Sequence, residues 1–200
     1  DEYFERGSRG FLALNGSVSP AVQRAIDKYV SHGQPISNID VHAAALASYM
    51  AELSDALALA HLLGRTPLMP KWTCHYDRLW SGSDDIFHFG CMYPGAQDGQ
   101  FVPFTCPMDH VISPWEWNDK KVPYRDASFL ERFRGGDEIV EVSVGAPNEA
   151  DASRLPATTA HLPVGISAAE AQRLLHAHSG AKVLRLSHAR GLLCGLGGAL

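Results

Sequence analysis

Arg65, Cys74, His75, Asp77, Arg78, Cys106, Asp109 and His110 fall within one stretch of the chain, together with Trp72 and Trp80. These residue types can do several kinds of chemistry. An arginine fork grips phosphate or carboxylate, a carboxylate or imidazole orients a sugar hydroxyl, and a tryptophan stacks on a sugar or base. Arg65, Asp77, Arg78, Asp109 and His110 are therefore the substrate-binding candidates. The structural alternative is a buried ion pair with aromatic core filling, because ion-pair networks imitate functional sites.

Cys74 and Cys106 admit three readings. Cys74, His75, Cys106 and His110 would supply four zinc ligands. Adjacent residues of an extended chain point to opposite sides, however, and paired zinc ligands are normally two to four residues apart. A nucleophilic cysteine would need His75 or His110 as its base, and nothing else supports that role. A Cys74–Cys106 disulfide is the preferred reading: it closes a loop of about 30 residues and contributes roughly 3–4 kcal/mol by the loop-entropy model. No metal site is expected, and the partners of Cys91 and Cys194 are left open. Asn15-Gly16-Ser17 is a glycosylation sequon, with Asn15 as the acceptor.

Other signatures are absent. The chain holds no dinucleotide fingerprint, phosphate loop, nucleophile elbow or HExxH. It also lacks an Asp-x-Asp triplet; Asp84-Asp85 reads as a polar loop pair. His176 and His178 favour the dipole at a helix C-terminus. His42 and His61 are expected to face solvent or the core edge and receive no function.

The elements that position these groups alternate. Phe11–Leu14 is a short apolar run that reads as a buried strand. Ser19-Pro20 opens a helix to about His32. A second helix starts at a cap on Asn38 or Asp40 and runs to Leu63, with Val41, Ala44, Ala45, Tyr49, Leu53, Ala56, Leu57, Ala60 and Leu63 at helical spacing and Gly64 as its stop. Thr66–Met69 is a strand that Pro67 and Pro70 make short or place at an edge. Residues 71–123 carry little periodicity, and 81–103 read as a loop insertion. Helix around Ser128–Arg132, strand over Glu138–Val144, loop over Gly145–Ala160, a Ser167–Glu170 capping box opening a helix to about His178, and strand over Ala181–Ser187 complete the chain. This alternation predicts an α/β domain with a mainly parallel sheet flanked by helices, Rossmann-like, with a long irregular disulfide-closed loop; in the phrase Leu63-Gly64-Arg65-Thr66-Pro67-Leu68-Met69-Pro70 it resembles half of a GT-B-like fold, the amino-terminal half of O-fucosyltransferase-like enzymes.

Two hundred residues suit a single domain over 1–200. The apolar share of 46% and charged share of 20% are those of a globular chain with a real core. A net charge of -5 argues against nucleic acid, which needs clustered cations. No unbroken apolar run reaches the roughly 18 residues of a membrane span, so no membrane contact is expected of this segment. The start at Asp1 reads as a piece of a longer chain, with any leader or anchor upstream.

The order of phrases carries a resemblance. Gly10-Phe11-Leu12, Leu62-Leu63-Gly64-Arg65-Thr66-Pro67-Leu68-Met69-Pro70, Trp72, Cys74, Asp77-Arg78-Leu79-Trp80, Cys106-Pro107-Met108-Asp109-His110-Val111 and Tyr124-Arg125-Asp126-Ala127-Ser128-Phe129-Leu130 recur in one order. In these the chain resembles the C-terminal part of plant and algal extensin arabinosyltransferases, of the nucleotide-diphospho-sugar transferase group in glycosyltransferase family 77. The likeness is sharp between about residues 40 and 130; the insertion carrying Cys91 departs from it. The resemblance implies a Golgi-lumenal enzyme of the secretory pathway that transfers L-arabinose from UDP-β-L-arabinofuranose to hydroxyproline-linked arabinosides of cell-wall glycoproteins. It also implies that the metal-binding Asp-x-Asp, with a divalent ion such as Mn, lies in a preceding domain. No cofactor is then held by this chain, and no catalytic residue carries over to it. The rival reading is a non-catalytic domain that recognises a glycan or glycoprotein or scaffolds its neighbour. A zinc-bound structural module is the third.

Overall fold

The computed structural model describes residues 9–15, 18, 20, 22–24, 27, 38–74, 104–106, 108–133, 138–145 and 159–194. The expected helix to His32 and the 81–103 insertion lie largely or wholly outside them. The chain divides into two compact units. One comprises residues 1–17, 49–71 and 117–200; the other comprises 18–48 and 72–116.

The first unit is built on a six-stranded parallel sheet. Its strands are β1 (Phe11–Leu14), β2 (Thr66–Met69), β5 (Arg125–Asp126), β6 (Ile139–Val144), β7 (Thr159–Leu162) and β8 (Val183–Leu186). They lie in the order β5-β2-β1-β8-β6-β7. In register, Phe11 pairs with both Thr66 and Val183, and Val142 pairs with both Leu186 and Ala160. The α/β Rossmann-like reading holds. The four residues of β1 and of β2 are all buried, the pattern of parallel strands covered on both faces.

Helix α1 (Asn38–Leu63) crosses over from β1 to β2. Its residues from Tyr49 onward belong to this unit. Ala56, Leu59 and Ala60 pack on Leu12, Leu14, Val142, Leu184 and Leu186. Alanine on this face lets helix and sheet approach closely while keeping helix propensity high. α1 ends as its glycine predicts: Gly64 takes φ +64°, its N–H bonds to the His61 carbonyl at 3.1 Å, and the Arg65 N–H bonds to Ala60 at 2.9 Å. Those two bonds form a Schellman motif. By length and composition, Val41–Leu63 could cross a membrane. The sequence expectation counted unbroken apolar runs, which His42, Glu52 and Asp55 interrupt; here the segment from Tyr49 is the core helix of the sheet. The opposite face of the central strands is covered by Phe129 and Leu130 from the 3₁₀ turn Ala127–Arg132 and by Phe133, its C-cap, with the Phe11 and Phe129 rings 4.9 Å apart.

Several expectations are refined. β2 is short but interior, between β1 and β5. The Thr66 N–H bonds toward β1, to the Gly10 carbonyl, so Pro67 faces the other side. There β5 pairs only from Leu68 onward, and no ladder bond is lost to the proline. β7 begins inside the segment expected to be loop. The Ser167 hydroxyl caps helix α3 (Ala168–Leu175) by accepting the Glu170 N–H at 3.2 Å, while the Glu170 carboxylate turns to Arg173 instead of closing the box. A 3₁₀ turn over His176–His178 follows. His42 is buried, contrary to expectation, and His61 is exposed.

Gly10 is where the sheet tolerates no side chain. Its φ is +108°, and a Cβ would stand 2.5 Å from the Lys182 carbonyl and 2.8 Å from Arg65 Nη1. We expect Gly10→Ala to lower unfolding free energy by about 2 kcal/mol, read from urea denaturation. A loss below about 0.5 kcal/mol would mean that the β1–β8 edge yields freely.

In the second unit, β3 (Thr73–Cys74) and β4 (Phe104–Thr105) pair antiparallel, with Cys74 opposite Phe104. Helix α2 (Pro114–Asp119) begins there and ends in the first unit.

Candidate functional site

Cys74 and Cys106 are joined. Their Cα atoms are 5.0 Å apart across 32 residues of sequence. The bond crosses the end of the β3–β4 ladder, and the Cys106 N–H donates to the Trp72 carbonyl at 2.9 Å. Cys74, Cys106 and Trp72 are buried. Both thiols are thereby removed as metal ligands or nucleophiles. The 3₁₀ turn Met108–His110 starts two residues after Cys106 and is closed by the Val111 and Ile112 N–H groups on the Met108 carbonyl, each at 3.0 Å. Asp109 is half-buried on this turn. Asp77 and Arg78 lie outside the described residues, as does the side chain of His110. The disulfide thus ties the segment bearing Asp109 to the strand from which Asp77 and Arg78 follow. We expect Cys74→Ser with Cys106→Ser to cost about 3 kcal/mol by the loop-entropy model, checked as a fall in thermal midpoint against the oxidised chain. An unchanged midpoint would show the loop to be held by other contacts.

Arg65, a substrate-binding candidate, is engaged by the main chain. It is 6% exposed, and its guanidinium donates to four main-chain carbonyls: Ala181 at 2.9 Å, and Phe11, His178 and Ser179 at 3.3 Å. It braces the edge where β1 and β8 begin, opposite the edge at which ligands of parallel sheets normally sit. To bind substrate there through its fork, it would have to release those carbonyls.

The carboxyl edge holds groups that sequence reasoning missed. β1 and β8 are neighbours, with β2 and β5 to one side and β6 and β7 to the other, so the strand order reverses beside them. Glu52 and Asp55, one turn apart on α1, are buried. Glu52 Oε1 accepts the Ala189 N–H at 3.1 Å, and its Oε2 is 3.7 Å from Arg190 Nη1. Asp55 Oδ2 accepts the Leu192 N–H at 2.9 Å. Burial pushes both carboxyls above their ordinary values, against main-chain N–H groups that pull them down. The two acids clasp the turn after β8 from beneath. Above it, the Ser187 hydroxyl accepts the Val144 N–H at 3.1 Å. His188 is held toward its neutral form by burial and by the Arg190 charge, opposed by the Val144 carbonyl. Its Nδ1 has no hydrogen-bond partner among the described residues. The readable signal was the pair of acids at i and i+3 interrupting an alanine-rich apolar stripe.

Asn15 emerges at the same edge. It is exposed, and its N–H donates to the Leu186 carbonyl at 3.4 Å. Cys194 is a free thiol whose Sγ lies 2.6 Å from the Gly165 carbonyl. Among the described residues, no group of three or more His, Cys, Asp and Glu could hold a metal ion.

No family model matches this chain. No solved structure matches it either. Among curated proteins it is similar to Arabinosyltransferase XEG113 of Arabidopsis thaliana, with 34% identity over 140 residues, 65% of this chain. The match covers 19% of that protein's length, so the chain spans about a fifth of it. The expected resemblance to plant arabinosyltransferases thus has its counterpart in this similarity.

Proposed function

We propose that this chain is the α/β part of a glycosyltransferase that moves L-arabinose from UDP-β-L-arabinofuranose to hydroxyproline-linked arabinosides of extracellular glycoproteins, within the Golgi lumen. The observation that carries this reading is the 34% identity to an arabinosyltransferase over 65% of the chain. The Cys74–Cys106 disulfide is consistent with an oxidising, secretory compartment. In this reading the metal-dependent activation of the donor, by a divalent ion such as Mn, belongs to chain beyond these residues. Asp77, Arg78, Asp109 and His110 are, in this reading, the substrate-binding candidates by residue type: an arginine meets phosphate charge, and an acid and an imidazole orient sugar hydroxyls. Arg65 is left out of that set, because its donors hold the sheet edge.

The test uses a longer protein that contains this chain, with UDP-arabinofuranose and an arabinosylated hydroxyproline peptide. Arg78→Ala and Asp109→Asn are each expected to lower transfer about tenfold or more, as loss of a charge-assisted hydrogen bond does, with the thermal midpoint unchanged. Full transfer by both variants would sink the site assignment. Absence of transfer by the intact longer protein, tested with this donor and acceptor, would sink the activity. The short share of the relative that this chain spans favours one second reading: a recognition or scaffolding part. That reading predicts transfer to free sugar acceptors unchanged in the variants and loss only with glycopeptide.

A further inference from the structure

The amino edge of the sheet carries a cavity of about 60 Å³ whose charge is of one sign. Arg9, Arg65, Gln172, His176 and Ser179 are the polar groups lining it, over a floor of leucines that includes Leu175 and Leu184. Among the described residues no carboxylate lines it. The volume has room for several waters, and hence for a small polyatomic ion.

Two observations make this more than a crevice. The first is Arg65. It is 6% exposed, and all four of its hydrogen bonds go to neutral carbonyls. Buried charges are normally paired, and among the described residues no acidic side chain pairs with this one. Burial lowers its pKa, and no carboxylate opposes that shift. The second is that the negative helix ends nearby already have donors. The Ala60 and His61 carbonyls take the Arg65 and Gly64 N–H groups, and the Gly64 carbonyl takes that of Arg9 at 2.9 Å. At the end of α3, the His176 and His178 carbonyls take the N–H groups of Ser179 and Ala181, each at 3.1 Å. The stem of Arg9 lies along Gly64, where a Cβ would be 3.8 Å from its Cδ. Arg9 and Arg65 thus both line the cavity. Gln172 on α3 and His176, its C-cap, are four apart and both line the cavity. The polar lining thus comes from the β1 entry, from α3 and from the turn after it, on several sides of the cavity.

We propose that the cavity between the β1 entry and the C-terminal end of α3 binds a tetrahedral oxyanion, the phosphate or sulfate group of a ligand, through Arg9, Gln172, His176 and Ser179 in the field of Arg65. This site does not depend on the proposed transferase activity. It lies at the opposite edge of the sheet from Glu52 and Arg190.

The test titrates the 200-residue chain with inorganic phosphate, sulfate and acetate at constant ionic strength, following calorimetric binding and the thermal midpoint. Phosphate or sulfate should bind saturably and raise the midpoint, because a ligand that binds only the folded state stabilises it. Whichever of the two binds more tightly names the ester. Arg9→Gln, an exposed position whose main-chain bond survives, should weaken binding about tenfold, and Gln172→Ala about threefold. Arg173→Gln, on the same helix but outside the cavity, should leave binding unchanged. Salting-out by sulfate raises midpoints without saturation, and equally in Arg9→Gln, so the difference between the two chains isolates the site. The proposal is overturned if no saturable binding is seen, if acetate binds as well as phosphate, or if Arg9→Gln matches the wild type.

Discussion

Replacing Arg65 by methionine should lower the free energy of unfolding by about 4 kcal/mol, roughly half the margin of an ordinary domain. The side chain is buried and closes a four-way junction. Phe11 belongs to β1, Ala181 leads into β8, and His178 and Ser179 end the α3 segment. Methionine keeps much of the stem's packing but no donor. The Phe11 and Ala181 carbonyls are buried and cannot turn to water, whereas those of His178 and Ser179 are only partly buried. Each buried group losing a charged donor costs about 1–3 kcal/mol. Relief from burying the guanidinium, whose pKa burial depresses, offsets part of that loss but not all. Lysine, with one compact head, can reach only some of the carbonyls and should fall between the two. Urea unfolding of the three proteins decides the matter. A methionine variant within about 1 kcal/mol of wild type would show the junction to be held by the strands alone.

This role for Arg65 also marks what could and could not be read from residues. α1 was legible because helical spacing, alanine content and Gly64 all agree, and local agreement of that kind is what specifies an element. β1, β2 and β8 were legible as compact apolar runs between turn signals. β7 was not: Thr159-Ala160-His161-Leu162 is four residues long, and its His161 faces out to bond Ser143 at 2.9 Å, so neither length nor hydropathy marks it. The disulfide followed from the poverty of the alternatives for Cys74 and Cys106. The task of Arg65 was hidden because its partners are carbonyls, three of them more than 100 residues away in sequence, and carbonyls have no signature. The same holds for Glu52 and Asp55, whose partners are N–H groups 137 residues on. Side chains that bind backbone of a distant segment are invisible to motif reading, because any residue type can supply the partner. Chemistry between side chains, as at Cys74 and Cys106, is not.

Glu52 allows the sharper second test, because two substitutions of it separate geometry from charge. Glu52→Ala removes the acceptor of the Ala189 N–H and the counter-charge of Arg190, and leaves a void under the turn. Breaking a buried pair from one side costs about 3–5 kcal/mol. Glu52→Gln keeps an acceptor oxygen of the same reach and removes the charge, so it should stay within about 1 kcal/mol of wild type at neutral pH. The pH dependence follows from the direction of the shift. Burial raises the folded pKa of Glu52 above its ordinary 4.5, so the folded state binds the proton more tightly than the unfolded one. Stability from this group is fully present below the unfolded value and is lost as pH rises through the folded one. Asp55, raised from 3.8, acts in the same sense in a window that starts lower. Wild type should therefore lose stability relative to Glu52→Gln as pH rises from about 4.5, with the two curves converging in acid. Parallel curves across that window would mean that Glu52 keeps the same pKa folded and unfolded. The Ala189 N–H and Arg190 would then fully compensate its burial, and the turn after β8 would rest on an ion pair that carries no net cost.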